Sequence, residues 1–344
     1  MSALITTGFH HITLVATDAG RAAAFYRDLL GMRLLSEGVD AEDPSRYEAV
    51  FGDATGAPGT LVRVVEAPDA DRGRYGTGGV HHFALGTATR ETLLKWKRRL
   101  TDAGVPVSGP LPRGYFTSLY FTDPDRQVVE IATAGPGYTV DEPIDALGQG
   151  VMAQPASQLR GTRDDAAIAA ETHPEPVPAI TPDMVLTGLH HISGITDDIE
   201  RASDFYEQAL GLRLIKKTVN QDAPDTAHWF WANYDGTRVL EHSSWTLFGW
   251  TPRQPRARMG VGQSREIAFR AADEIALVSW RDHLRSLGLE VSAIADHGHH
   301  QAIRFTAPDG QPLAIATDVP GFMTLHDPHH PQDRQSHIAH SPTL

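Results

Sequence analysis

The chain has 344 residues, 41% of them hydrophobic, with no cysteine and a formal charge of −13. This length suits two domains, each with its own core, while the missing cysteine excludes disulfides and thiolate metal sites. The acidic balance disfavours nucleic acid or an anionic membrane surface as the main partner, but it leaves room for a small anionic substrate.

In chain order, alternating residues 9–17 predict a strand and 19–31 a helix stopped at Gly31. Strands follow at 33–39, 46–52 and 60–66. The order restarts with a strand at 80–87, a helix at 90–103 before Gly104, and strands near 105–109, 115–122 and 127–133. Residues 135–186 break the pattern with GPGYTVDEP, a short helix near 157–171 and the Pro-rich HPEPVPAITP. They read as a linker that crosses the surface. A third unit has a strand at 189–196, a helix at 199–210, and strands near 212–220, 226–233 and 237–243. The fourth has a strand at 265–271, a helix at 273–287 before Gly288, and strands near 289–295, 300–306 and 312–317. From His326 the tail HDPHHPQDRQSHIAH is polar and His-rich and reads as a loosely ordered terminus. No run of eighteen apolar residues occurs, and MSALITTGFHHITL lacks the features of a secretory signal, so a cytoplasmic protein is expected.

The units are related. Residues 9–35, FHHITLVATDAGRAAAFYRDLLGMRLL, return at 189–215 as LHHISGITDDIERASDFYEQALGLRLI, an ungapped offset of 180. The expectation is an α+β fold of four βαβββ modules forming two paired, curved-sheet barrels. The first pair of modules lies in 1–134, the linker in 135–186, the second pair in 187–325 and the tail in 326–344.

Eighteen histidines without a cysteine point to imidazole and carboxylate ligands, a set that suits iron, manganese or zinc. Inward-facing positions hold His11, His82 in GVHHFAL and Glu130 in QVVEIAT. Strand alternation sends only one ring of each His-His pair inward, leaving the other for a turn or the rim of the site. Glu130 sits in an otherwise apolar strand, where a carboxylate costs several kcal/mol unless it is paired or metal-bound. The duplicate supplies a control: Glu266 stands at the place of His82 and Ala314 at that of Glu130. One site has been lost, so one metal per chain is expected. Two histidines and a carboxylate with open positions form the ligand set of non-haem Fe(II) oxygenases.

With His-His-Ile-Thr and Val-Glu-Ile-Ala-Thr on such modules, the chain resembles the vicinal oxygen chelate superfamily of glyoxalase I, bleomycin-resistance proteins and extradiol dioxygenases. More narrowly it resembles ring-cleaving dioxygenases of hydroquinones. APDADRGRYGTGGVHHFAL and PRGYFTSLYFTDPDRQVVEIATAGPGYTVDEP are similar to that family's C-terminal half, and LGLRLIKKTVNQDAPDTAHWFW to its N-terminal half, so the halves stand in swapped order. The resemblance implies an Fe(II) enzyme, with Mn(II) as the alternative, whose metal is held by His82, Glu130 and His191. His11 is the rival third ligand under pairing within one half. It further implies that Arg113 and Tyr120 contact the substrate, that His190 stands beside the ligand, and that Ser193 replaces a threonine. The implied reaction is oxidative opening of a hydroquinone- or catechol-like ring, with Arg113 stabilising the ring oxygen and Tyr120 and His190 donating hydrogen bonds or moving protons. Two other readings are a glyoxalase-like isomerase or lyase, which wants a second carboxylate for which Glu66 is the nearby candidate, and a metal-free aromatic-binding protein. Spare sheet edges are compatible with a homodimer.

Overall fold

The computed structural model describes residues 4–250 and 254–322, so the His-rich tail lies outside the described residues. The first module comprises β1 (Phe9–Ala16), α1 (Ala19–Ala23), β2 (Arg33–Val39), β3 (Tyr47–Gly52) and β4 (Leu61–Glu66). The second comprises β5 (Val80–Thr87), α2 (Arg90–Asp102), β6 (Ser108–Pro112), β7 (Thr117–Thr122) and β8 (Val128–Thr133). The linker carries α3 (Asp165–Ala170). The third module comprises β9 (Leu189–Thr196), α4 (Ile199–Leu210), β10 (Arg213–Asn220), β11 (Ala223–Ala232) and β12 (Ser244–Gly249). The fourth comprises β13 (Ser264–Ala271), α5 (Glu274–Ser286), β14 (Ala295–Asp296), β15 (Gln301–Thr306) and β16 (Pro312–Thr317).

Helix boundaries follow local chemistry. Asp198 caps α4 by accepting from the Arg201 N–H, and Gly211 ends it in the left-handed region at φ 66°. Three expectations need correction. The helix expected over 19–31 is α-helical only to Ala23 and continues as a wider π-turn over Ala24–Leu29. The strand expected at 237–243 lies instead at β12, because Asp235 Oδ1 accepts from the Thr237 and Arg238 N–H groups at 2.8 and 2.9 Å and closes a turn there. The strand expected at 289–295 shrinks to β14 at its end.

The strands form two eight-stranded sheets, ordered β14-β15-β16-β13-β1-β4-β3-β2 and β10-β11-β12-β9-β5-β8-β7-β6. Each curved sheet therefore draws one module from each half of the chain, where closure within a half is the simpler expectation. The joints are antiparallel: β1 on β13 with Thr13 opposite Glu266, and β5 on β9 with His82 opposite Ser193 and Ala84 opposite His191. The helices pack on the sheets through a core that includes the fully buried Trp96, Tyr206, Trp231 and Trp245. Among the described residues no helix is long and apolar enough to cross a membrane.

Close packing reaches β9 itself. A Cβ at Gly194 would lie 2.6 Å from Trp245 Cη2 and 3.0 Å from Leu247 Cδ2, neither of which can swing away in the buried interior. Gly194→Ala is expected to lower stability by about 1–3 kcal/mol, read as a shifted denaturant midpoint. A midpoint equal to that of the wild type would show that this contact can relax.

Candidate metal centre

His82 on β5, Glu130 on β8 and His191 on β9 come together in the sheet of the second and third modules. Glu130 Oε2 lies 3.0 Å from His82 Nε2 and 3.3 Å from His191 Nε2. The two Nε2 atoms are 3.3 Å apart. All three side chains are at most 3% exposed. The register explains the convergence, since β5 is flanked by β8 on one side and β9 on the other, with Ala84 opposite both Glu130 and His191.

Neither Glu130 oxygen has a hydrogen-bond partner of acceptable direction despite these short separations. The three donor atoms face one another across a common point. Ligands about 2.1 Å from one ion and about 90° apart lie about 3.0 Å from each other, close to what is observed. An orphaned buried carboxylate is costly, and a divalent cation removes that deficit, so the residues present fit a metal. Burial works against ionisation of Glu130, but the imidazoles of His191 and His82 outweigh it and hold the carboxyl well below its ordinary value. Burial lowers His82 in spite of the Glu130 carboxylate. A neutral imidazole beside an ionised carboxylate is the protonation state a metal requires.

Alternation would place the two rings of each His-His pair on opposite faces. Instead, His81 and His82 meet at 2.8 Å between Nδ1 atoms, and His190 and His191 at 2.9 Å. Register shifts interrupt the ladder at these strands, between Val80 and His82 and again where Leu189 and His191 pair across Leu85 and Ala84. Each contact occupies Nδ1 of the inner ring and directs its Nε2 toward Glu130. The same 2.8 Å contact joins His10 and His11, so the pairing is a property of the repeat and not a mark of the site.

A cavity of about 650 Å³ opens over His82 and His191. Its walls include Phe116, Phe230, Phe248 and Trp250, the last two stacked with centroids 5.9 Å apart. Arg113 and Tyr120 both line it: Arg113 Nε donates to Tyr120 Oη at 3.2 Å, and the Tyr120 ring lies 5.6 Å from that of His82. Burial raises the Tyr120 phenol against the opposing pull of Arg113, so it keeps its proton. His81 reaches the rim of this cavity. His190 does not line it, but packs on Phe116 at 4.9 Å and borders a second cavity of about 630 Å³ behind the site.

Two contributors were not anticipated. His228 lines the cavity from β11, its Nε2 3.0 Å from Thr246 Oγ1, and Thr246 in turn contacts Ser193 at 2.6 Å. Only its inward place on an aromatic strand, HWFW, could have marked it. The linker also forms a wall. Gln154, Arg160, Arg163 and Asp165 line the cavity, held by bonds such as Gln154 Nε2 to Thr218 Oγ1 at 2.8 Å. Lys97 Nζ secures the end of α3 by donating to the carbonyls of Ile168 and Ala169 at 3.0 and 2.9 Å.

The other sheet shows what the duplicate became. His11 lies there on β1, with its Nε2 3.9 Å from Glu266 Oε1, and the structure does not bring it to Glu130. Ala314 lies opposite Ala268 as Glu130 lies opposite Ala84, and Arg304 lies opposite Ala314 as Tyr120 lies opposite Glu130. Arg304 Nη2 donates to Glu266 Oε1 at 3.0 Å. Glu66 is occupied elsewhere, accepting from the Ala19 N–H at 2.7 Å at the start of α1. Among the described residues no other group of three His, Asp or Glu donors converges as the His82 set does.

Comparison with known proteins agrees with this architecture. The family model described as the Glyoxalase/Bleomycin resistance protein/Dioxygenase superfamily matches residues 8–131 and 188–315. Two Bacillus subtilis proteins carrying the provisional name of ring-cleaving dioxygenase are similar along most of their length. MhqA is 26% identical over 318 residues, covering 92% of this chain and 88% of its own, and MhqO is 25% identical over 319 residues, covering 92% and 86%. The crystal structure of a provisionally named dioxygenase from B. subtilis superposes with a TM-score of 0.70 at 22% identity, covering 97% of both chains. Glyoxalase I from Zea mays superposes at 0.57 with 18% identity, covering 90% of this chain and 92% of its own. These structural likenesses speak to the fold.

Proposed function

This chain belongs to the glyoxalase/bleomycin resistance protein/dioxygenase superfamily, and from that premise we propose that it is an Fe(II)- or Mn(II)-dependent ring-cleaving dioxygenase acting on a hydroquinone- or catechol-like aromatic. The observation that carries this reading is the buried His82–Glu130–His191 set, with its orphaned carboxylate, whose two histidines line a cavity walled by aromatic rings. The names of the B. subtilis relatives point the same way.

When bound by these three residues, the metal would supply a redox-capable Lewis acid with positions left for a substrate oxygen and O2. The chain's own groups do the rest. Phe116, Phe230, Phe248 and Trp250 offer faces and edges against which a substrate ring stacks, and they keep water from the reacting end. Arg113, fixed by Gln221 and Asp222 as well as by Tyr120, holds a permanent positive charge where the ring hydroxyl loses its proton. Tyr120, protonated and beside His82, donates a hydrogen bond to a developing negative oxygen. His190 fixes the orientation of His191 through the Nδ1 contact.

A glyoxalase-type isomerase fits less well, because Glu66, the candidate for its second carboxylate, is committed to the N-terminus of α1 in the other sheet. Anaerobic reconstitution with Fe(II), followed by oxygen uptake with a panel of hydroquinones and catechols, tests the reading. Uptake coupled to loss of the aromatic ring is expected. A stoichiometric metal with no uptake from any member would favour the isomerase, and no metal at all a binding protein. The ligand set is tested separately. His191→Ala is expected to lose the metal and His11→Ala to keep one ion per chain by elemental analysis; the reverse pattern would move the site to the other sheet.

A further inference from the structure

The cavity over the donors has more room and more charge than a bare dihydroxybenzene uses. At about 650 Å³ it falls in the range that takes drug-sized ligands. Three arginines, Arg113, Arg160 and Arg163, line it against two aspartates, Asp165 and Asp222. On a chain of net charge −13 this local excess of cations runs against the general field.

The pairing at the cavity leaves one cation over. Asp222 is occupied on both oxygens, Oδ2 accepting from Arg113 Nη2 at 3.2 Å and Oδ1 from Arg163 Nη1 at 2.6 Å. Asp165 Oδ1 accepts from Arg163 Nε at 2.6 Å. The Gln221 amide is likewise engaged, with Oε1 accepting from Arg113 and Nε2 donating to Pro112 O and Gln154 Oε1. The Arg160 backbone N–H donates to Gln221 O at 2.9 Å, which pins this linker residue to the cavity wall. Its guanidinium has no partner among the described residues.

We propose that the substrate is a dihydroxylated aromatic bearing an anionic side chain, a carboxylate, and that Arg160 is the residue that selects it. The ring and its hydroxyls rest on the ring-cleaving reading above; the anion rests on Arg160. Arg113 is already held by Tyr120, Gln221 and Asp222, so it serves the ring end, while Arg160 remains free to form a two-pronged bond with a carboxylate. The linker between the halves thereby becomes the specificity element of the site.

The test compares a hydroquinone carrying a carboxymethyl group with its hydroxyethyl isostere on the Fe(II)-loaded protein. Affinity is read anaerobically by tryptophan fluorescence and turnover by oxygen uptake. The wild type is expected to bind the carboxylate about tenfold more tightly, a preference that weakens with added salt. Arg160→Met should erase most of that preference by raising KM for the carboxylate and leaving kcat for it nearly as it was, and Arg160→Lys should restore part of it. Circular dichroism confirms that the variants are folded. Equal affinity for the two compounds in the wild type, or a preference that survives Arg160→Met, overturns the proposal. A preference in binding without oxygen uptake from either compound supports the anion subsite and overturns the dioxygenase reading instead.

Discussion

Glu130→Gln is expected to lower Fe(II) affinity by more than about a hundredfold, beyond the loss typical for residues that only orient metal ligands, and to abolish oxygen uptake. The amide matches the carboxylate in volume, so the aromatic wall and the two histidines keep their places. What is lost is the negative charge at 3.0 Å from His82 Nε2 and 3.3 Å from His191 Nε2. The stability effect has the same sign with and without metal but differs in size. In metal-free protein the imidazoles of His191 and His82 already favour the buried carboxylate, so removing its charge is expected to lower stability by about 1–3 kcal/mol. With metal, the wild type gains about 4 kcal/mol once free ion reaches a thousand times its dissociation constant, and a variant weakened a hundredfold or more gains at most about 1.4 kcal/mol. Thermal unfolding with and without Fe(II) should show the gap between wild type and variant widening when the metal is added. A variant that keeps one tightly held Fe(II) and normal turnover would remove Glu130 from the site.

Arg63→Met is the second large effect, and it falls on the sheet of the first and fourth modules. Arg63 is 2% exposed, and it donates from Nε to Glu48 Oε2 at 2.7 Å and from Nη2 to Asp40 Oδ1 at 2.9 Å. Its Nη1 lies 3.6 Å from Glu266 Oε1. Arg265 adds a further bond to Asp40 at 2.9 Å, and Arg304 pairs with both Glu266 and Glu42. Where the sheet of the second and third modules holds the candidate metal donors, the sheet of the first and fourth has closed its interior with alternating charges. Methionine matches the length of the stem but leaves Glu48 buried without its cation and Asp40 with Arg265 alone, which costs about 3–5 kcal/mol. Urea unfolding should show this loss while elemental analysis of the folded variant still finds one metal per chain. A change below 1 kcal/mol would mean that the remaining arginines or water satisfy these carboxylates.

Both predictions come from the same duplicated scaffold, and they show how its copies diverged. Charge arithmetic explains why the sheet of the first and fourth modules is not a second candidate metal centre. Replacing His82 and Glu130 by Glu266 and Ala314 keeps one carboxylate but removes the convergent donors, and Arg63 and Arg304 then neutralise what remains. Burial raises the Glu266 carboxyl in spite of the nearby Arg63 and Arg265. Glu266→Ala is accordingly expected to leave the metal in place.

How much of this was legible from the chain alone depends on the range of the interaction responsible. The modules were readable because alternation in strands and periodicity in helices are local, and a repeat at an offset of 180 shows the same local pattern twice. Glu130 stood out because a carboxylate within Val-Val-Glu-Ile-Ala is costly in any buried strand, whatever lies opposite. The strand placed too early at 237–243 failed for a local reason as well, a side-chain-capped turn at Asp235 that an apolar pattern does not register. Other features depend on tertiary contacts. That β5 zips to β9 and β1 to β13 is decided by hydrogen bonding between edges far apart in sequence, with His82 and His191 separated by 109 residues and Thr13 and Glu266 by 253. That pairing alone puts His191 beside Glu130 and sends His11 to Glu266. The inward placement of His228 and the linker wall that carries Arg160 likewise depend on packing between distant segments. Four modules and two of the three converging donors follow from each strand's own pattern and cost of burial, and so are readable from the chain. Which histidine joins them and what walls the cavity are set by which edges pair, and no single segment contains that information.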